Sequence, residues 1–234
     1  MSNLPPRPRV ERIGHRGAPR EYPENSLPSF ARAIELGADA VELDVHVTTD
    51  GVVVVHHDPD IRVSTSGKRT NRPIRQMSWA ELSVIELAPG IPVPSLAQVL
   101  AVCGSTVTAY VELKGVDSER PALDVIRGSA ARCAVHSFDH AMIERAARIA
   151  PEIRRGILFD EYPADVEQSM RAASALDVWP RWSLIDKPLV DGVHSRNGRV
   201  IAWTVNRTSD AEALIALGVD GVCGDDVRLF PRGD

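Results

Sequence analysis

Between positions 13 and 59 the chain carries His15, Arg16, Glu24, Asn25, Glu42, Asp44 and His57, a density of reactive side chains that an ordinary core does not need. They fall in the runs Ile13-Gly14-His15-Arg16-Gly17, Pro23-Glu24-Asn25-Ser26, Val41-Glu42-Leu43-Asp44-Val45 and Val55-His56-His57-Asp58-Pro59, with Thr49-Asp50-Gly51 before the last. Imidazoles exchange protons near neutral pH. Carboxylates hold hard cations, and a guanidinium donates two parallel hydrogen bonds to phosphate oxygens. Together these residue types point to a metal-assisted site for a phosphate ester.

The run 40–47 alternates strictly, so a strand puts Val41, Leu43, Val45 and Val47 on one face and Glu42, Asp44 and His46 on the other. Carboxylates two apart on one strand face stand roughly 7 Å apart and repel unless a cation or a proton lies between them. Glu112, in Tyr110-Val111-Glu112-Leu113-Lys114, offers a third oxygen ligand. Ligands that are all oxygen suit Mg²⁺ or Ca²⁺, and the sequence does not choose between the two. The plainer alternative is that Glu42 and Asp44 pair with Lys114 and Arg16 as ion pairs inside a polar barrel.

His15 and His57 each close a strand, which fits an acid and base pair, whereas His56 points to the opposite face and is read as structural. Arg16 and Lys114 match an anionic substrate. Asn25 or Ser26 reads as a helix cap, or as part of the mouth of the site. Trp203 ends a strand and is either an apolar wall for the organic part of a substrate or core packing, and Trp179 and Trp182 stand equally open.

These residues need a scaffold. Strand-like runs at 11–15, 40–47, 108–114, 133–138, 155–159, 176–179, 200–205 and 221–223 alternate with helical patterns at 26–36, 95–103, 120–131, 140–149, 164–173, 188–196 and 210–217. Eight strands with helices between them predict an α/β fold, a (β/α)8 TIM barrel, rather than an open doubly wound sheet. A second strand at 52–57, after the Asp50-Gly51 turn, predicts a hairpin on the second barrel strand. The stretch 58–94 is then a small insertion, polar and basic over 64–75, of a length that implies a function or a small fold of its own. Residues 1–234 read as one domain.

Composition excludes other classes. With 44% hydrophobic and 25% charged residues and a formal net charge of −5, nothing attracts nucleic acid or an acidic membrane in general. Cys103, Cys133 and Cys223 lack metal or disulfide spacing and read as reduced thiols. The proline-rich, polar start, 1–9, lacks an apolar targeting core, and no later stretch approaches a membrane span, so a cytoplasmic protein without stable membrane association is expected. Dinucleotide, Walker, serine hydrolase and metalloprotease motifs are absent.

The ordered set His15-Arg16-Gly17, Pro23-Glu24-Asn25, Glu42-Leu43-Asp44, Thr49-Asp50-Gly51 and His57-Asp58 resembles the glycerophosphodiester phosphodiesterase family. The likeness continues through Val111-Glu112-Leu113-Lys114, His136-Ser137-Phe138, Trp203-Thr204-Val205-Asn206 and Gly218-Val219-Asp220-Gly221. It implies a TIM barrel, a divalent cation (Mg²⁺ or Ca²⁺) on Glu42, Asp44 and Glu112, His15 and His57 as acid and base, and Arg16 and Lys114 on the phosphate. The implied reaction cleaves a small glycerophosphodiester to sn-glycerol 3-phosphate and an alcohol. Cys223-Gly224-Asp225-Asp226 departs from the family's usual Thr-Asp, and Arg62 falls early, which leaves the alcohol open. Two rivals remain: a phospholipase D-like lyase acting on lysophospholipids, and a non-catalytic phosphate- or metal-binding barrel.

Overall fold

The computed structural model of the chain describes residues 9–65 and 68–231, so the polar start read from 1–9 lies outside the described residues except for Arg9. The chain opens with β1 (Glu11–His15), α1 (Leu27–Glu35), β2 (Ala40–Val47) and the short β3 (Val53–Val55). The insertion holds β4 (Asp60–Thr65), β5 (Lys68–Pro73), a one-turn helix α2 (Trp79–Leu82), β6 (Glu86–Ala88) and β7 (Ile91–Pro92). Regular alternation resumes with α3 (Leu96–Cys103), β8 (Thr108–Leu113), α4 (Glu119–Arg127), β9 (Arg132–Ser137), α5 (His140–Ile149) and β10 (Arg154–Phe159). It ends with α6 (Val166–Ala173), β11 (Asp177–Pro180), α7 (Lys187–His194), β12 (Arg199–Ala202), α8 (Thr208–Leu217) and β13 (Gly221–Gly224).

Strands β1, β2 and β8 to β13 are parallel, and β1 pairs with both β2 and β13, closing the eight-stranded barrel. The expected alternation along β2 holds. Val41, Leu43 and Val45 join the apolar layer beneath the helices, while Glu42, Asp44 and His46 are buried on the inner side. Helix ends follow local chemistry: Ser26 accepts from the Ser29 amide to cap α1, and Ser95 with Gln98 forms a capping box on α3. Among the described residues no helix is long and apolar enough to cross a membrane.

The expected hairpin is present, with β3 antiparallel to β2 in the register Val45↔Val55 and Val47↔Val53. Its turn is tied by Thr48, whose hydroxyl donates to Asp50 at 2.6 Å and accepts from the Val52 amide at 3.0 Å. The insertion is a small fold of its own, with β4 paired to β5, β6 paired to β7, and an apolar cluster of Val54, Ile61, Ile74, Met77, Leu82 and Val93. Two elements stop three or more residues short of their patterns. Helix α4 ends at Arg127 because Gly128 follows and the Ser129 hydroxyl takes the Ile126 carbonyl. Strand β12 ends at Ala202, and the Val205 amide turns instead to the Cys223 carbonyl.

Inside the barrel, Ile13, Ala40, Tyr110, Ala134, Leu158, Trp179, Ile201 and Cys223 form an apolar plug. Below it, at the strand starts, Asp177 accepts from Arg154 (2.6 Å) and Arg199 (3.0 Å), and Arg199 also reaches Glu11 and the Tyr110 hydroxyl. Asp177 is 1% exposed, so its charge is tolerable only with both guanidiniums in place. Asp177→Ala should therefore lower unfolding stability by about 2–3 kcal/mol, less than a fully buried pair because the arginines are partly solvated. Urea denaturation checks this, and an unchanged midpoint would show the network to be dispensable.

Candidate active site

The sequence-predicted site residues gather at one end of the barrel, where Glu42 pairs with His15 and Asp44 with Glu112, and the local turns explain how. After His15 the chain turns through Arg16 (φ 52°) and Gly17 (φ 93°). A Cβ on Gly17 would stand 2.4 Å from the Ser29 hydroxyl, so only glycine lets this turn press onto α1. Ser29 fastens it by donating to the Arg16 carbonyl and accepting from the Ala18 amide. Of the two candidate caps, Ser26 does the capping. Asn25, buried and left-handed at φ 58°, donates from Nδ2 to Asp44 at 2.8 Å and so fixes that carboxylate.

Glu42, Asp44 and Glu112 converge, 4%, 0% and 7% exposed. Arg16 Nε lies 3.2 Å from Asp44, Lys114 Nζ lies 3.0 Å from Glu112 and 3.5 Å from Asp44, and the Arg16 amide donates to Glu42. The ion pairs of the plainer reading thus exist. Three carboxylates still face two cationic side chains. Burial, together with the charge of Asp44, pushes the Glu112 carboxyl up to about 7 despite Lys114. Burial also works against Glu42, but His136, His15 and Arg16 outweigh it and hold Glu42 below the usual carboxylate range. Where no divalent cation shares the cluster, burial and the neighbouring carboxylates favour a proton on Glu112.

The residues fit a cation on two further counts. Asp44 Oδ1 is buried and accepts no hydrogen bond, and neither ring nitrogen of buried His136 has a partner among the described residues. One ligand atom each from Glu42, Glu112 and His136 lies within 4.8 Å of the others. His136 was not singled out from sequence as a site residue. The available signal was alternation along β9, where Val135 packs under the helices and Ala134 and His136 turn inward.

Each expected catalytic histidine is oriented by an aspartate. His15 Nδ1 donates to Asp225 at 2.8 Å, leaving Nε2 4.0 Å from Glu42. His57 Nδ1 donates to Asp58 at 2.7 Å, and the His57 carbonyl accepts from His46 Nε2 at 3.1 Å. Burial lowers the His46 pKa, which favours the neutral ring that serves as this donor. Asp225, in turn, accepts from Asn206 at 2.7 Å. The His15 and His57 rings line a cavity of about 170 Å³ whose floor is Cys223, Leu158 and Trp179. Its wall is Trp203, set edge-on to Phe138 with ring centres 5.4 Å apart and held by a hydrogen bond from its indole to the Trp179 carbonyl.

Burial pulls the His15 pKa down, but the hydrogen bond to Asp225 and the charge of Glu42 outweigh it, and the net shift is upward. His15 therefore adds stability that is fully present below its unfolded pKa and is lost as pH rises through the higher folded value. Asp225→Asn keeps the shape and removes the charge, so the His15 pKa should fall below that in the unsubstituted chain. Imidazole NMR titration reads this directly, and an unmoved pKa would show that Asp225 does not set the protonation of His15.

A profile of the glycerophosphoryl diester phosphodiesterase family matches residues 15–229. The chain is 30% identical to a glycerophosphodiester phosphodiesterase of Caldanaerobacter subterraneus over 94% of this chain and 98% of that one. It is 31% identical to the protein YqiK of Bacillus subtilis, covering 91% and 93%. Among solved structures, a putative glycerophosphoryl diester phosphodiesterase from Silicibacter pomeroyi superposes with a TM-score of 0.85 at 27% identity, covering 95% and 92%. A phosphodiesterase from Oleispira antarctica, in complex with the product sn-glycerol 3-phosphate, shares the fold at a TM-score of 0.85 and 24% identity, covering 95% of each chain. Matched over residues 15–229 and 30% identical to a named relative over nearly its whole length, the chain belongs to the glycerophosphoryl diester phosphodiesterase family and is a phosphoric diester hydrolase.

Proposed function

We propose that the chain hydrolyses small glycerophosphodiesters to sn-glycerol 3-phosphate and an alcohol, with His15 and His57 as acid and base. The observation that carries this reading is the pair of aspartate-oriented imidazoles that line one cavity with Glu42 and Glu112, Asp44 lying beside Glu112 across the paired strands. The product found in the Oleispira structure supports it. Arg16 and Lys114 would hold the phosphate, Trp203 would flank the organic part, and Glu42, Asp44 and Glu112 would hold a divalent cation, for which oxygen donors alone suggest Mg²⁺ or Ca²⁺. That cation supplies charge neutralisation of the cluster and of the phosphate oxygens.

Chemistry then asks little of the protein beyond positioning and proton transfer. The substrate's own glycerol hydroxyl beside phosphorus has a large effective concentration, so one imidazole need only deprotonate it while the other protonates the leaving alcohol. The raised pKa of His15 fits it to the acid's part. A cyclic phosphate would form, and water would open it with the two roles reversed. Arg16 meets the negative charge that grows on the phosphate oxygens.

Turnover of glycerophosphocholine in a coupled glycerol 3-phosphate assay tests the substrate, and lysophosphatidylcholine in parallel tests the lyase rival. His15→Ala and His57→Ala should each cost roughly 10²–10⁴-fold in kcat with the fold retained, and His56→Ala should be mild. Equal small losses at all three would favour structural roles. Exhaustive chelation should abolish turnover and lower Tm, both restored by a divalent cation. A fully active, metal-free protein would remove the cation from this reading. An analogue without the neighbouring hydroxyl should be inert, and its undiminished turnover would replace the cyclic route by direct attack of water.

A further inference from the structure

His136 is the buried titratable group that the proposed chemistry leaves unused. It is 1% exposed, and neither ring nitrogen makes a hydrogen bond among the described residues. Buried polar atoms are nearly always partnered, and leaving one bare costs about 1–3 kcal/mol. The ring is held in place all the same: it lies parallel to Tyr110 at 6.3 Å and edge-on to Trp179 at 4.3 Å. Gly156 makes room for this arrangement, since a Cβ there would stand 2.9 Å from the Trp179 ring. Nε2 is thereby aimed at Glu42, 3.8 Å from Oε1.

Three adjacent strands deliver this placement. Asp44 pairs with Glu112 across β2 and β8, and Glu112 pairs with His136 across β8 and β9, so the imidazole enters beside the carboxylates by register. Lys114 and Arg16 occupy the Asp44 side of the cluster, whereas the Glu42 carboxylate has the imidazoles of His136 at 3.8 Å and His15 at 4.0 Å. One ring nitrogen of His136 and one oxygen each from Glu42 and Glu112, all within 4.8 Å of one another, form the donor set of a mixed nitrogen and oxygen metal site.

We propose that His136 is a nitrogen ligand to the divalent cation at Glu42 and Glu112, and that the site accordingly prefers a borderline first-row ion, Mn²⁺ or one to its right in the series, over Ca²⁺. This rests on the cation-dependent reading above. Imidazole is a good donor to first-row ions and a poor one to Ca²⁺, which takes oxygen ligands almost exclusively. Ligation also satisfies one of the orphaned nitrogens, which an all-oxygen site would leave bare.

The test is electron paramagnetic resonance of the full chain titrated with Mn²⁺. The bound ion should show ¹⁴N modulation from a directly coordinated imidazole. That modulation should disappear in His136→Gln and persist in His15→Gln, and Mn²⁺ affinity in His136→Gln should fall at least about 10-fold, the lower bound for losing even an outer partner of a metal ligand. Competition with Ca²⁺ should favour Mn²⁺ in the unsubstituted chain and lose that bias in His136→Gln. Bound Mn²⁺ without nitrogen coupling would overturn the proposal while the cation reading stands, as would coupling lost only in His15→Gln. No Mn²⁺ binding at all would overturn both. Should His136→Gln fail to fold, ¹⁵N-histidine NMR of the unsubstituted chain with Zn²⁺ decides the matter: a His136 nitrogen resonance that does not move on binding contradicts ligation.

Discussion

Buried like charge is the constraint around which the carboxyl end of this barrel is built. Glu42, Asp44 and Glu112 are brought together by parallel register between β2 and β8, and burial makes their mutual repulsion strong. The surrounding features answer that repulsion. Arg16 leans on Asp44 from a left-handed turn, Lys114 bridges Asp44 and Glu112, Asn25 donates to Asp44, and the Arg16 amide donates to Glu42. The upward shift that favours a proton on Glu112 marks what these contacts leave unbalanced. A divalent cation would replace that proton, and the same charge would then serve phosphate chemistry.

The barrel separates this demand from its own stability. The apolar plug around Tyr110, Leu158 and Trp179 lies between the upper cluster and the lower network of Asp177, Arg154, Arg199 and Glu11. Below the plug, buried Asp177 meets Arg154 and Arg199 directly. Above it, Asp44 Oδ1 and His136 keep atoms unpaired. Unsatisfied polar atoms concentrated at one end mark the functional end of the fold, where stability yields to chemistry.

Period and punctuation made most of this legible in the sequence. Strict alternation in 40–47 placed Glu42 and Asp44 inside, and the Asp50-Gly51 turn foretold the hairpin. Strand β4, by contrast, reads Asp-Ile-Arg-Val-Ser-Thr, too polar to separate from a loop without seeing the small cluster on which it rests. Asn25 and Ser26 could not be told apart as caps, because the choice turns on which side chain meets Asp44, a contact between the start of α1 and the strand β2. Asp225 read only as a departure from a familiar ending, yet it orients His15 from 210 residues away. His136 was visible as an inward position on β9, but its lack of partners is a property of three dimensions alone.

Proton release on cation binding tests the central account most directly. If Glu112 carries the proton that balances the cluster, a divalent cation must displace it. Titrating the metal-free chain with Mg²⁺ or Mn²⁺ in weak buffer should release most of a proton near pH 6, little near pH 8.5, and correspondingly less from Glu112→Gln. Cation affinity should rise with pH across the same interval. Binding without proton release at the lower pH, or no binding at any pH, would contradict the view that buried charge at Glu42, Asp44 and Glu112 organises this site.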